Sequence, residues 1–586
     1  MLKRTIQLNS RRGWAKLLCS PRGQCLAKVL AGLLAGAAVF LLVYGTSALH
    51  VTNDAWILNG YDETDVQQHY AGWLFFRNSH WRFPLGYCDT LAAPDGTMIS
   101  YTDSLPWVSI FFKALRGVLP GTFQWFGLYV LFCFMLQGAA GALLAGRVGS
   151  LPFAALGGVL FACSPVLWER AFRHTALASQ YLYLFALYFY LEYRARLAAH
   201  AQDPAAPRPR FPWQFAALAF AAVGIHPYFL PPVLLCTLLA AVSLWRTGKR
   251  PGQGALVLLS GLGATLLGGW ITGALGSGVS ASRYGYGDFS MNLNAIFNPS
   301  SRGGYTWSRV LPVLPQQQGQ YDGFNYLGLG VLAMVASSLL YLVFTLFKPA
   351  GRAAAKAWWR RNGLLFAGCA LLSLFALSNK LYLGGAGVEL PLPAFLLELC
   401  GIFRSSGRMF YLVGACMTLY ALYTLRSVCV GRRAGQTLAC LLLGAVLAVQ
   451  VWDLSAAAGQ KRAMFSAPVN ATVVNDEQTQ ELGAGHTTLL AADTLRDDRL
   501  RLLAILAGKQ GLATNLSIAV SGAYPEAAAS VESAAALLAG GQYDPQTVYV
   551  TNDEGQYNEW QTIFAGDAKV RLFVASSCYF LVPVGD

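Results

Sequence analysis

The stretch "VLAGLLAGAAVFLLVYGTSAL" (residues 29–49) carries no charged residue. About twenty apolar residues in a helix cross the hydrocarbon core of a bilayer, so this run reads as a membrane span. The 28 residues before it hold Lys3, Arg4, Arg11, Arg12, Lys16, Arg22 and Lys28 and no acid. A basic flank marks the cytoplasmic side. With no small-residue cleavage site after the run, residues 1–28 are expected to be a basic cytoplasmic tail ahead of a signal anchor.

Outward from this run the pattern repeats. Apolar stretches of spanning length recur near 122–146, 151–167, 175–193, 212–226, 228–245, 254–275, 323–347, 363–380, 408–426 and 435–452. The chain is 55% hydrophobic and only 12% charged, where a soluble protein has about 25% charged residues. The expected fold is mainly α, a polytopic membrane bundle of about eleven helices over 29–452. Alternate loops carry the cations, as the positive-inside rule requires: Arg147, then Arg194, Arg196, Arg208 and Arg210, then Arg246, Lys249 and Arg250. Lys348, Arg352, Lys356, Arg360 and Arg361 follow, then Arg426, Arg432 and Arg433. Asp203 is the only acid among them. The net charge of +14 therefore belongs to loop topology, and no nucleic-acid motif accompanies it. In 212–245 both flanks are basic, and Pro227, Pro231 and Pro232 predict two helices meeting at "HPYF".

The opposite face is polar. It collects long loops at 50–121 and 276–322, the turns "WERAFRHT" and "HPYF", and the segment 381–407. With residues 453–586 on the same face, six of the seven histidines fall there, all but His200. The cysteines form no C-x-x-C pair, and a disulfide among Cys88, Cys400 and Cys578 stays open. Residues 453–586 lose the apolar pattern. "TTLLAA", "TVYVTN" and "KVRLFVASS" read as strands, and 497–509, 524–539 and 555–565 as helices, so a small outer (periplasmic) α/β domain is expected.

"YDETDVQQHYAGW" (61–73) is the densest polar cluster. In a helix over 64–77, Asp65, Gln68 and His69 share a face, while Val66, Tyr70, Trp73 and Leu74 share another. Thr64 and Gln67 have capping-box spacing. An ionised Asp65 could take a proton from a hydroxyl or hold a divalent metal such as magnesium or manganese. The competing reading is that Asp62, Glu63 and Asp65 merely cap a helix. Asp95 sits in a "PDG" turn and reads as structural. Asp103 either caps the helix expected in "LPWVSIFFKALRGVLP" (105–120), an interfacial amphipathic element, or is a second carboxylate. Arg173 and His174, at the outer end of a helix with Gln180 inside it, suit phosphate or lipid headgroups. His226 precedes Pro227 and reads as structural or as part of a binding site. Arg404 and Arg408 in "FRSSGRMF" would clamp a phosphate or pair with an acid. Trp73, Tyr321 and Asn325 offer faces and amides to a sugar or prenyl chain.

Taken together, "YDETDVQQHYAGWLFFRNSHWRFPLG", "PDGTMISYTDSLP", "RHTALASQY", "HPYF", "YDGFNYLGLG" and "FRSSGRMF" resemble a bacterial family of multi-spanning membrane proteins described only as a domain of unknown function. The layout is similar to the GT-C class of membrane glycosyltransferases. That resemblance implies a bacterial inner-membrane enzyme that moves a sugar from a polyprenyl-phosphate donor to a periplasmic glycan or lipid acceptor. It implies Asp65 as base or metal ligand, His69 orienting it, and Asp103 as second carboxylate. Gln68, Arg173, His174, His226, Arg404 and Arg408 would then contact substrate. The sequence departs from the class in having Asp-x-x-Gln-His for an acidic pair, and it lacks a WWD-type acceptor motif. A transporter or flippase of lipid-linked glycans and a non-catalytic envelope scaffold are the alternatives. The lack of an internal repeat and the one-sided polar groups weigh against transport.

Overall fold

The computed structural model describes residues 20–60, 65–275, 285–495, 497–518 and 524–584. Thr64 of the expected capping box and the acids Asp62 and Glu63 lie outside the described residues, as does most of the basic tail. The chain is mainly helical, with a small sheet near its C-terminus. Eight helices among the described residues are long and apolar enough to cross a membrane. They are Pro21–Tyr44, Phe126–Ala145, Pro227–Arg246, Pro251–Thr272, Leu329–Leu346, Pro349–Leu377, Ser406–Val428 and Gly435–Met464. Three further apolar stretches also fold as helices, Leu151–Ala162, Tyr181–Gln202 and Gln214–Val223. Two helices do meet at "HPYF": Gln214–Val223 ends at Gly224, and a short 3-10 turn over Pro227–Phe229 leads into Leu230–Arg246.

Small residues let the helices approach closely, as in other membrane bundles. Gly32, Gly36 and Gly138 sit where Pro21–Tyr44 crosses Phe126–Ala145, and a Cβ on any of them would overlap backbone of the facing helix. Apolar side chains on the outer helices stay exposed, among them Leu266, Phe344, Phe347, Leu371 and Leu374. A membrane interior covers such a surface without cost.

The loops between spans are structured. Helix Asp65–Asn78 is buried along its whole length from Val66 to Arg77, rather than on one face as its apolar spacing suggested. The segment expected to lie at the interface forms helix Pro106–Ala114. Its Lys113 is buried, donating to Ser79 Oγ at 2.9 Å and His80 O at 3.1 Å. Arg116 donates to the carbonyls of Arg77 and Ser79. Both cations tie the first loop together, Lys113 from a buried position and Arg116 from an exposed one.

The C-terminal sheet has five strands. Thr488–Ala491 lies parallel to both Ala513–Thr514 and Thr547–Thr551. Thr547–Thr551 then pairs antiparallel with Cys578–Pro583, and that strand with Val570–Ala575. The last two strands form a hairpin turned by Ser576 and Ser577, both at positive φ. Helices Asp497–Gln510, Pro525–Ala539 and Glu554–Ile563 complete the region. Among the described residues Cys88, Cys400 and Cys578 form no disulfide.

Candidate active site

A cavity of about 390 Å³ opens where the loops, the helix ends and the C-terminal region meet. Sites for small molecules usually enclose about 300–1,000 Å³. Its lining is mostly polar, with six arginines beside Asp65, Asp103 and Asp322.

Helix Asp65–Asn78 supplies Asp65, Gln68 and His69, the i, i+3 and i+4 positions of one face. Asp103 reaches the same place from the other side of the first loop. Gly72 makes this approach feasible, because a Cβ there would overlap Thr102 Oγ1 and Ser104 Oγ. Ser104 Oγ donates to His69 O at 2.8 Å and lies 2.7 Å from Thr102 Oγ1. Between them Asp103 adopts the left-handed conformation, φ 55° and ψ 24°. It caps no helix N-terminus, since Leu105 holds that position ahead of Pro106–Ala114. Asp103 is instead turned toward histidines. Its carboxylate oxygens lie 3.7 Å from His174 Nε2 and 3.7 Å from His226 Nε2. Both separations exceed a hydrogen bond.

Arg170 ends the short helix Pro165–Arg170, and the turn 171–174 after it places Arg173 and His174. The expected helix begins only at Tyr181, so Arg173 and His174 lie in a turn and Gln180 at the N-cap. Arg173 pairs with the fully buried Glu169, near Lys461 Nζ at 4.0 Å. His226 is held by its neighbour, since its Nδ1 accepts from Tyr228 N at 3.3 Å. That bond leaves the proton of a neutral His226 on Nε2, facing Asp103. The imidazoles meet edge to face in sequence, His69 to His174 at 5.2 Å between centroids and His174 to His226 at 5.1 Å.

Asp322 organises the cationic wall. Arg170 Nη2 lies 2.8 Å from its Oδ1, and Arg408 donates Nε and Nη2 to its two oxygens at 3.1 Å each. Arg408 therefore has an acid partner, and its ring contact is Tyr228, 4.7 Å away. Arg404 lies over Phe289 at 5.7 Å. Tyr321 lines the cavity beneath Arg173 and Arg302, whose guanidiniums sit 5.4 and 4.8 Å from its ring centre.

The same surroundings push neighbouring groups in different directions. Burial raises the Asp103 carboxyl to about 7, with Asp65 adding to the rise and Arg408 and Arg404 opposing it. Burial raises Asp322 too, but Arg408 and Arg170 outweigh it and hold that carboxyl well below the usual range. Burial lowers His69 to about 4, against the pull of Asp65. His174 and His226 are also lowered, first by burial and then by Arg408. All three imidazoles are thus neutral near pH 7.

Three ligand atoms, one each from His69, Asp103 and His174, lie within 4.8 Å of one another. His69 Nδ1 and His174 Nδ1 are buried without a hydrogen-bond partner. Neutral imidazoles with one carboxylate fit a transition-metal ion better than magnesium, which prefers oxygen. Asp65, the metal ligand expected from the sequence, is not one of this converging group.

The cavity gathers Asp65, Gln68, His69, Asp103, Arg173, His174, Tyr321, Arg404 and Arg408 from the sequence-derived set. His226 reaches it through Asp103. Trp73 does not line it: the ring is fully buried and donates Nε1 to Phe123 O at 2.9 Å. Asn325 does not either. It donates to the carbonyls of Gly323 and Gly407 at 3.0 Å and lines a small inner pocket beside Gln180 and Gln450. Arg170, Arg302, Asp322, Leu500, Arg501, Ser517 and Ile518 were not anticipated.

Fold and site together define a helical protein with helices long and apolar enough to cross a membrane and a polar cavity of acids, imidazoles and guanidiniums built on its loops. Residues 33–455 match the family described as Domain of unknown function (DUF6311), and the chain belongs to that family. No curated protein matches the sequence. Among solved structures the chain is similar to the Archaeoglobus fulgidus oligosaccharyltransferase in the apo form, with a TM-score of 0.40 and 12% identity. The similarity covers 86% of this chain and 65% of that one, so the chain spans less than two thirds of that protein's length.

Proposed function

We propose that the protein is a membrane glycosyltransferase that moves a sugar from a polyprenyl-phosphate donor to a periplasmic glycan or lipid acceptor. The observation that carries this reading is the juxtaposition of acid and imidazole groups (Asp65, His69, Asp103 and His174) with arginines in one cavity. Proton acceptors beside oxyanion binders are what transfer from a phosphate leaving group needs.

In this reading the acceptor hydroxyl oxygen attacks the anomeric carbon of the donor sugar. The bond from that carbon to the phosphate oxygen breaks, and the phosphate leaves with the electron pair. The hydroxyl proton passes to Asp65. Arg404, Arg408 and Arg173 face the charge that develops on the phosphate. Asp322 fixes Arg408 and Arg170 beforehand, so these groups need no reorganisation during transfer. His226 steadies Asp103. His69, Asp103 and His174 would hold a divalent ion, which would supply further positive charge beside the phosphate.

The eight candidate spans, with the three further helices, would make eleven crossings of a bacterial inner membrane. The alternation of basic loops supports a reading with a cytoplasmic N-terminus and with the cavity and residues 453–586 on the periplasmic side.

The test is turnover of lipid-linked sugar in membranes carrying wild type or Asp65→Asn at matched expression. Loss of a general base should slow transfer by about 10²–10⁴-fold and let the donor accumulate. Wild-type turnover by a folded Asp65→Asn protein would sink the reading and return transport or scaffolding to first place.

A further inference from the structure

The C-terminal region supplies one wall of the cavity, through Leu500, Arg501, Ser517 and Ile518. These residues lie beyond 455, where the match to the family ends. Of the four only Arg501 is charged. We propose that Arg501 is a substrate-binding residue that holds an oxyanion of the substrate on the His69 side of the cavity. The proposal rests on the reading of the cavity as a transfer site.

The first support is how firmly Arg501 is held there. Its helix, Asp497–Gln510, packs on helix Asp65–Asn78, which carries Asp65 and His69. Gly508 makes the crossing close: a Cβ on it would stand 2.9 Å from Leu74 Cβ. Asn78 Nδ2 donates to Gly508 O at 3.0 Å. Lys509 Nζ lies 2.6 Å from Asp54 Oδ2, which also accepts from Tyr70 OH at 3.0 Å.

The sheet is stitched to the first loop as well. Ala92 N donates to Leu516 O at 3.1 Å, Ala93 N to Thr514 O at 2.8 Å, and Thr514 N to Thr90 O at 2.9 Å. Asp95 accepts from Ala527 N at 2.9 Å, and Thr97 Oγ1 meets Tyr524 OH at 2.8 Å. Contacts through both backbone and side chains make the C-terminal region part of the cavity's frame.

Chemistry gives the second support. A guanidinium presents a planar fork of donors that matches carboxylate and phosphate oxygens. Arg501 brings a guanidinium from a different wall, near enough to His69 to disfavour its protonation. An oxyanion held there belongs either to the phosphate of the donor or to an acidic group on the acceptor. The binding chemistry is the same for both.

The full-length protein in detergent, titrated separately with inorganic pyrophosphate and with glucuronate and followed by thermal shift, tests this. Wild type, Arg501→Gln, Arg501→Lys and Arg404→Gln are compared, with the unliganded melting temperature as the check on folding. Arg501→Gln should weaken one probe about tenfold or more, the loss expected for a charge-assisted hydrogen bond. Arg501→Lys should weaken it less. A loss confined to pyrophosphate assigns the donor phosphate, and one confined to glucuronate assigns an acidic acceptor. If Arg404→Gln weakens pyrophosphate while Arg501→Gln binds both probes like wild type, Arg501 is only wall and the proposal falls with the cavity reading intact. If neither substitution changes binding, or wild type binds neither probe, the cavity reading falls too.

Discussion

Asp322→Asn should be among the most damaging substitutions in the loops, through folding rather than chemistry. Asp322 is 5% exposed, Arg170 2% and Arg408 11%. One carboxylate serves both guanidiniums at 2.8 and 3.0 Å. At about 3 Å and an effective dielectric near 20, each pair is worth roughly 5 kcal/mol of Coulomb attraction before the cost of desolvation. Asparagine keeps the shape and removes the charge, so two buried cations lose their counter-ion. Stranding one partner of a buried ion pair costs about 3–5 kcal/mol, and here two are stranded. Arg170 retains Asp322 O at 2.6 Å and Tyr411 OH at 3.0 Å, which limits its loss. The expected net loss is therefore about 3–5 kcal/mol. Equilibrium unfolding in mixed micelles with rising sodium dodecyl sulfate, followed by tryptophan fluorescence, measures it. Adding Arg408→Met should restore part of the loss, because one stranded charge goes with it. A single Asp322→Asn variant within about 1 kcal/mol of wild type would refute the assignment of Asp322 as the clamp on these arginines.

Two further outcomes follow from the same cavity. In metal-free protein, Asp103 binds its proton more tightly folded than unfolded. Its contribution to stability is therefore present below 3.8, the ordinary value, and lost as pH rises through about 7. The loss has an upper limit of about 4 kcal/mol, and Asp103→Asn should flatten that part of the unfolding profile. An unchanged slope in the variant would assign the pH dependence elsewhere. For the ion site, dialysis against zinc or manganese should load about one ion per chain and magnesium far less. His69→Ala with His174→Ala should abolish loading, read as metal content, and loading that survives the double substitution rules this donor set out.

Much of the helical pattern was legible because a span is a local property: twenty uncharged residues declare themselves whatever they pack against. The strands 488–491, 547–551 and 570–575 were equally local, each bounded by turn residues. The site is a long-range object and was legible only in part. Asp65, Gln68 and His69 came through because helix periodicity fixes their common face. Asp103 was ambiguous because "TDSLP" resembles a helix cap, and only the left-handed turn allowed by Gly72 brings it to the histidines. Asp322 stood inside a stretch already singled out, between Tyr321 and Asn325. Its partner Arg170 lies 152 residues away, so nothing nearby marked it. Trp73 misled for the opposite reason. It was given a ligand-facing role, yet it shares the face of Val66, Tyr70 and Leu74, and that face is core. Arg501 had no signal, because in "DDRLRLLAILAGKQ" it reads as the wet side of an amphipathic helix.

The paired carboxylates show why charge alone does not mark the reactive groups. Asp322 and Asp103 line one cavity and both feel burial and Arg408. Asp322 has two guanidiniums within 3.0 Å and stays ionised across the physiological range, which suits a fixed scaffold. Asp103 faces imidazoles 3.7 Å away and is lifted to about 7, where small changes in its surroundings move its proton. Two acids driven apart by their environments take separate roles. The arginines divide the same way: Arg170 and Arg408 are fixed by Asp322, whereas Arg404 has no acid among the ion pairs seen in the described residues. A substrate oxyanion is the natural counter-charge for a cavity so arranged, and its arrival would lower the proton affinity of neither acid. It would instead shield Asp103 from Arg408 and Arg404, and so raise that affinity further. Substrate binding and proton uptake at Asp103 should therefore be linked: binding at pH 7 to 8 draws protons from a weakly buffered solution, and Asp103→Asn removes that uptake. Proton release on binding would contradict the sign of this coupling.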